Sequence, residues 1–266
     1  DCMPTVTRLN DPKKTALSFA FKHPKTGIKD KIAKAFKWYI GNVKKIDFNQ
    51  CCLMVVKYEG TPQAFNRIKN RVTAIYKKHR GVCLGAEPGR SFAKVKFDFP
   101  HLRDYVMDRS IMADVSETAT TWDNLRTLHE SGLADVEQAI KDTGVDAWVG
   151  CHLSHSYRTG ASLYFTFGCL QREGREIEQY LYVKKAAEDA FMKNGGTLSH
   201  HHAVGTEHLP WVEEDLSPTG LKAVKALKAG LDPNDIMNPG KIIPSEKPLD
   251  DWGLSAEAID EFQSRS

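Results

Sequence analysis

Three consecutive imidazoles, His200, His201 and His202, sit in the run Ser199-His200-His201-His202-Ala203-Val204-Gly205, just after Gly195-Gly196 and a predicted two-residue strand. In extended backbone His200 and His202 share one face and His201 opposes them, so the outer pair can reach one reacting atom or one metal. An imidazole titrating near pH 6.5 suits proton transfer at neutral pH. A metal site needs further ligands, and the free candidates His152, His155, Glu207 and Asp232 show no diagnostic spacing, so no metal is assigned. Surface histidines without a role are the plain alternative.

A second candidate is His155-Ser156-Tyr157-Arg158, at the mouth of a hairpin. A tyrosine at a strand end can lend its hydroxyl to a pocket, and a neighbouring cation favours its ionised form. Half-buried packing is the commoner use of such a residue. Arg8, Arg90, Arg103 and Arg109 are the arginines considered for an anionic group, because a guanidinium fork matches phosphate oxygens. Pattern alone does not rank them, and most arginines serve surface ion pairs.

The elements that must position these groups follow from periodicity. Strands are expected near Val6 to Leu9, at Thr15 to Lys22, Gln50 to Glu59, Gly81 to Leu84, Ile111 to Thr121, Val145 to His155 and Ala161 to Leu170, with a turn at His23 to Gly27. Helices are expected at Ile28 to Lys45, from Pro62 through His79, at Pro100 to Arg109, Trp122 to Thr143, Glu173 to Asn194 and Ser217 to Ala229. Phe65, Ile68, Val72, Ile75 and Tyr76 form the inward stripe of the second helix. The order strand, helix, strand, strand, helix occurs twice without a sequence repeat. This predicts an α+β fold, a mainly antiparallel sheet covered by helices in ferredoxin-like halves, followed by a helical and extended C-terminal segment. Residues 1–196 are expected to form the sheet-bearing domain and 197–266 the C-terminal active-site segment, with a proline-bearing tail after the Asp232-Pro233-Asn234 turn.

Composition narrows the classes. With 37 basic and 34 acidic residues, a net charge of +3 gives no global reason to bind nucleic acid, so any anion site is local. Six cysteines without a C-x-x-C spacing read as reduced thiols of an intracellular compartment, and Cys51 and Cys52 as packing residues of a strand. No stretch approaches the roughly 18 apolar residues of a membrane span. The opening Asp1-Cys2-Met3-Pro4 is expected to be the edge of an excised piece.

The segment Asn194-Gly195-Gly196-Thr197-Leu198-Ser199-His200-His201-His202-Ala203-Val204-Gly205 resembles the N-G-G-S-L-S-H-H-H-G-V-G signature of alkyl-dihydroxyacetonephosphate synthases. Other FAD-linked oxidases of the vanillyl-alcohol oxidase superfamily, such as D-lactate and glycolate dehydrogenases, carry a G-E-H-G-I-G type sequence there. Arg8-Leu9-Asn10-Asp11 resembles the family's R-L-x-D, Leu102-Arg103-Asp104 its I-R-D, and Glu117-Thr118 through Trp122-Asp123 its E-T-x-x-x-W-D. Ser156-Tyr157 with Gly160-Ala161 through Leu163-Tyr164-Phe165 resembles T-Y-D-x-G-A-x-I-Y-F, with Arg158 in place of the usual Asp. The run from Asp232-Pro233 through Asn238-Pro239-Gly240-Lys241 resembles an ending shared by the wider oxidase group.

The resemblance implies a substrate cap and C-terminal part of an FAD-dependent transferase of ether-lipid synthesis. There the flavin is not a net oxidant: it holds the substrate covalently while the acyl chain of acyl-dihydroxyacetonephosphate leaves and a fatty alcohol enters. By position Tyr157 is then the acid or base at the reacting carbon, His201 and His202 assist proton movement, and His200 and Asn238 contact the cofactor. Arg103 and, as the second choice, Arg8 are implied to hold the phosphate or shape its pocket. The family's N-terminal FAD-binding domain is not in this sequence, so FAD is expected to be held mainly by that other domain and the chain alone to be inactive. A homodimer and peripheral membrane contact are compatible with the resemblance, and the implied location is the peroxisome or glycosome, although Ser264-Arg265-Ser266 is not the S-K-L type signal. The competing readings are a flavin-linked 2-hydroxy-acid dehydrogenase and a non-catalytic α+β interaction or histidine-metal module.

Overall fold

The computed structural model describes residues 3–20, 27–95, 97 and 99–265. They form two compact units, Asp1–Phe99 with Gly150–Ser156, and Pro100–Val149 with Tyr157–Ser266. Residues 197–265, expected as a segment of their own, share the second unit with residues 100–149 and 157–196.

The first unit contains β1 (Met3–Asn10), α1 (Pro12–Ala20), α2 (Ile28–Trp38) continuing as a π turn over Tyr39–Val43, β2 (Met54–Glu59), α3 (Pro62–Lys78) and α4 (Glu87–Val95). Most of β4 (Trp148–Ser156) also belongs to it. β1 pairs antiparallel with β2, from Met3 opposite Glu59 to Leu9 opposite Met54, with an irregularity between Val6 and Arg8. Leu9 and Asn10 also pair with Leu153 and His152 of β4.

A strand was expected over residues 15–22, whereas Pro12–Ala20 is helix, and the reason lies in Asp11-Pro12. The Asp11 carboxylate accepts the Lys14 N–H at 2.6 Å, the geometry of a helix N-cap, and Pro12 presets the first helical φ. Its other oxygen accepts the Cys151 N–H at 2.5 Å, which ties the start of α1 to β4. Of the turn expected at 23–27, only Gly27 lies within the described residues, as do residues 15–20 of the expected strand 15–22. Residues 81–84 are not a strand, and α4 follows them unannounced by the pattern. Cys51 and Cys52 precede β2 rather than lying in it, and neither is buried. The inward stripe of α3 is shallow, since no residue of that helix is buried and Ile75 is 57% exposed.

In the second unit, α5 (Phe99–Met107) leads into β3 (Ile111–Thr121), which pairs antiparallel with β5 (Gly160–Leu170) along its whole length. Every strand pairing described is antiparallel, as the α+β reading requires. Helices α6 (Leu125–Asp142) and α7 (Glu176–Lys193) bury Leu128, Val136, Ile140, Val183, Ala187 and Phe191. Phe165 of β5 packs on Phe191, ring centroids 5.1 Å apart, and each such fully buried ring stabilises the unit by about 1.5–3 kcal/mol.

After α7 come a 3₁₀ helix (Thr206–Trp211), α8 (Val212–Leu231, broken at Ser217, φ 68°), α9 (Pro248–Trp252) and α10 (Ala256–Gln263). The tail, expected as extended, thus carries two short helices. Aromatic anchors hold them: Trp252 meets Trp211 edge-on at 5.4 Å, and Phe262 meets Tyr182 at 5.1 Å. No described helix is long and apolar enough to cross a membrane.

Candidate active site

β3 does the positioning. Ser116, Glu117 and Thr118 are consecutive and all buried, so polar groups enter the unit from both faces of one strand. Thr118 Oγ1 donates to the Thr197 carbonyl at 2.7 Å, and Thr197 exchanges two further bonds with Ala119, N–H to O at 2.9 Å and Oγ1 from N–H at 3.1 Å. The segment after α7 is thereby pinned along β3. Gly195 takes φ 68°, and a Cβ on Gly196 would come within 2.5 Å of Thr118 Oγ1, so the approach needs the Gly-Gly pair. Leu198 is fully buried, and its N–H donates to Asp215 at 3.0 Å.

The histidines are therefore not extended, and the expected alternation of faces is overturned. The chain turns through residues 199–202 and Ala203 has φ 66°. All three imidazoles gather on one buried carboxylate, Glu117: His200 Nδ1 lies 3.4 Å from Oε1, His201 Nδ1 2.7 Å from Oε2, and His202 Nε2 3.8 Å from Oε2. The Glu117 side chain has no solvent exposure and also receives the His201 N–H at 3.3 Å. In the sequence Glu117 stands out only as a letter of the E-T-x-x-x-W-D motif. Its signal was a glutamate amid β-strand residues that must be covered, which requires compensating donors.

Tyr157 joins the same cluster. Its hydroxyl lies 2.9 Å from His200 Nε2, while His200 Nδ1 lies 3.2 Å from His201 Nδ1. A neutral imidazole has one N–H, so the tautomer of His200 decides the sense of the chain. With the proton on Nδ1, Nε2 accepts the Tyr157 hydroxyl; with the proton on Nε2, the phenolic oxygen becomes the acceptor. The phenol hydrogen-bonds the imidazole, and the imidazole faces the carboxylate across 3.4 Å, an order along which one proton can move once that last approach closes, with Tyr157 at 53% exposure as its open end. The turn before β5 holds this end, with the Tyr157 N–H on the Gly160 carbonyl at 2.8 Å and the Trp122 indole on the Tyr157 carbonyl at 3.0 Å. His202 packs edge-on to Tyr164 at 5.2 Å, and burial, partly offset by Glu117, lowers its pKa.

The remaining predicted residues lie elsewhere. Arg8 belongs to β1 of the first unit, beside Lys14, whose ammonium is pushed down to about 7 by burial and then by Arg8 itself. Arg103 is exposed on α5 of the second unit. Asn238 is exposed at φ 48° in the turn organised by Asp232, which accepts the N–H groups of Ile236 and Met237 at 2.9 and 2.8 Å. Lys241 reaches Thr206 of the 3₁₀ helix from that turn. Donor atoms of Glu117, His200 and His201 lie within 4.8 Å of one another, close enough for a divalent ion. Of the other ligand candidates, Glu207 bonds Tyr180 and Lys184, Asp232 bonds Lys228, and His152 and His155 belong to the first unit.

An antiparallel α+β unit that gathers a phenol and three imidazoles about one buried carboxylate at a turn holds the groups that proton transfer uses. Residues 1–242 match the family described as FAD linked oxidases, C-terminal domain, and the chain belongs to that family. It is 36% identical over 247 residues to an alkyldihydroxyacetonephosphate synthase of Dictyostelium discoideum, covering 93% of this chain and 40% of that protein. The corresponding protein of Trypanosoma brucei brucei is 35% identical over 242 residues, covering 91% and 40%. A solved structure of an alkyldihydroxyacetonephosphate synthase superposes with a TM-score of 0.64 at 30% identity, covering 89% of this chain and 39% of that one. The chain spans about two fifths of the length of these relatives.

Proposed function

We propose that the chain is part of an FAD-dependent alkyldihydroxyacetonephosphate synthase, which exchanges the acyl chain of acyl-dihydroxyacetonephosphate for a fatty alcohol. The observation that carries this reading is the gathering of Tyr157 and the triple histidine on Glu117, in a chain 36% identical to such a synthase over 93% of its length. Exchange at a carbon bearing an oxygen leaving group needs a proton removed and returned, and the Tyr157–His200–Glu117 path can store and restore one.

The residues present fit one edge of a flavin. Glu117 Oε1 is buried without a hydrogen bond, while the half-exposed His201 ring stands on the other oxygen of the same carboxylate. FAD, when bound, supplies the redox-active ring that such chemistry uses without net oxidation. Tyr157 handles the proton at the reacting carbon, His200 passes it toward Glu117, where His201 and His202 share it, and Asn238 faces the cofactor. Arg103, on the same unit as Tyr157, holds the phosphate, whose two charges suit a guanidinium group. We place the whole protein in the peroxisome or glycosome, which colocalisation with an organelle marker tests.

The full-length, FAD-loaded protein should incorporate labelled fatty alcohol into ether product, and Tyr157→Phe should lower kcat by about 10²–10⁴-fold, the usual contribution of general acid-base catalysis. Full activity of Tyr157→Phe would remove the tyrosine from the mechanism.

A further inference from the structure

Beside the histidine site, α7 carries an i, i+4, i+8 stripe of Tyr180, Lys184 and Glu188 facing β3, in a helix whose other buried residues are apolar apart from Gln179. Lys184 is 3% exposed, and its ammonium is fully engaged. It donates to the Val115 carbonyl and to Ser116 Oγ, both at 2.9 Å, and pairs with Asp114 at 3.7 Å and Glu207 at 3.3 Å. Glu207 in turn accepts the Tyr180 hydroxyl at 2.5 Å. Three of these partners belong to β3 immediately before Glu117, and the fourth begins the 3₁₀ helix that follows the histidines.

We propose that Lys184 is a positioning residue for this site: by holding Glu207 against β3, it keeps His200, His201 and His202 seated on Glu117. The geometry requires it, because the two halves of the cluster come from strand and loop, and Lys184 bonds the backbone of one and the side chain of the other. A buried ammonium held by two neutral acceptors and two carboxylates gives up none of them without leaving a buried polar or charged group unsatisfied, which makes the tether stiff. Its charge acts on the site as well. Burial comes first in holding His202 below the ordinary imidazole value; of its neighbours, Glu117 and Asp114 oppose that while His201 and Lys184 add to it. His208 is lowered by burial and then by Lys184, against the pull of Glu207 and with a small addition from His202.

The inference rests on the histidine cluster being catalytic, and the test separates the two claims. Histidine titrations followed by NMR on this chain compare wild type, Lys184→Arg, Lys184→Met and Glu207→Gln. Glu207→Gln alters a half-exposed carboxylate, so it stays informative if Lys184→Met does not fold. The expected result is a changed titration of His202 in Lys184→Met and Glu207→Gln, with Lys184→Arg close to wild type. In the full-length, FAD-loaded protein the same two variants should lose about ten-fold or more in kcat with KM within about three-fold, and Lys184→Arg should restore most of it. A wild-type His202 titration in Glu207→Gln and in any folded Lys184→Met overturns the proposal. Absence of exchange activity in the wild type would overturn the proposed function instead, since the titration decides the positioning role without it.

Discussion

Glu188 lets the electrostatics of the second unit be tested as stability. It is 1% exposed on α7, its Oε2 has no hydrogen-bond partner, and burial raises its pKa from 4.5 to about 8, against the opposing pull of Lys184 and a hydrogen bond from Ser116. The folded chain therefore keeps a proton on Glu188 that the unfolded chain releases above about pH 4.5. Since stability falls with pH wherever the folded state binds more protons, the loss runs from about pH 4.5 to about pH 8. At about 1.4 kcal/mol for each tenfold change in proton affinity, the whole span caps the loss at about 5 kcal/mol, and relaxation around the charge brings this to a few kcal/mol. Glu188→Gln, isosteric with the protonated acid, removes this dependence. Urea-unfolding midpoints at pH 5, 7 and 9 should place the variant within about 1 kcal/mol of wild type at pH 5 and above it by about 2–5 kcal/mol at pH 9. Parallel pH profiles for the two proteins would refute the reasoning.

Three further outcomes follow from the same geometry. Asp11→Ala removes a helix cap and a bond to the Cys151 N–H together, and should cost about 2–3 kcal/mol in chemical denaturation; a loss below about 0.5 kcal/mol would show that water replaces both. Gly196→Ala drives a methyl into Thr118 Oγ1 and should shift the His200 and His201 NMR resonances even where the fold survives. Unchanged resonances would mean that the Gly-Gly approach does not set the histidines. Glu117→Gln keeps the shape but removes the charge that works against burial at His202, so the His202 titration should move to lower pH, and an unmoved titration would count against Glu117 as its partner.

Long, strongly patterned elements were legible in the sequence: β3 at Ile111–Thr121 and α7 within Glu176–Lys193 follow apolar periodicity because each buries a continuous face. The helix over residues 12–20 was not, because from Thr15 onward apolar Ala16 or Leu17 alternates with small and aromatic positions like a strand, while the deciding signal is a capping carboxylate followed by proline. The two tail helices escaped for a related reason, since five and eight residues hold too few periods to register and it is Trp252 and Phe262 docking on the unit that stabilises them. At the site, residue types were readable and geometry was not. Spacing suggested that neighbouring histidines diverge, whereas a turn after Gly195-Gly196 folds them onto Glu117, a residue far away in the chain. Long-range hydrogen bonds from Thr118 and Ala119 set that turn, and no local pattern encodes them.

The most direct test offers the full-length, FAD-loaded protein both chemistries: acyl-dihydroxyacetonephosphate with labelled fatty alcohol, and D-lactate or glycolate with an electron-accepting dye. The account expects labelled ether product and no dye reduction. Dye reduction by a 2-hydroxy acid without ether formation would contradict it, and would assign the Tyr157–His200–Glu117 path to a dehydrogenase.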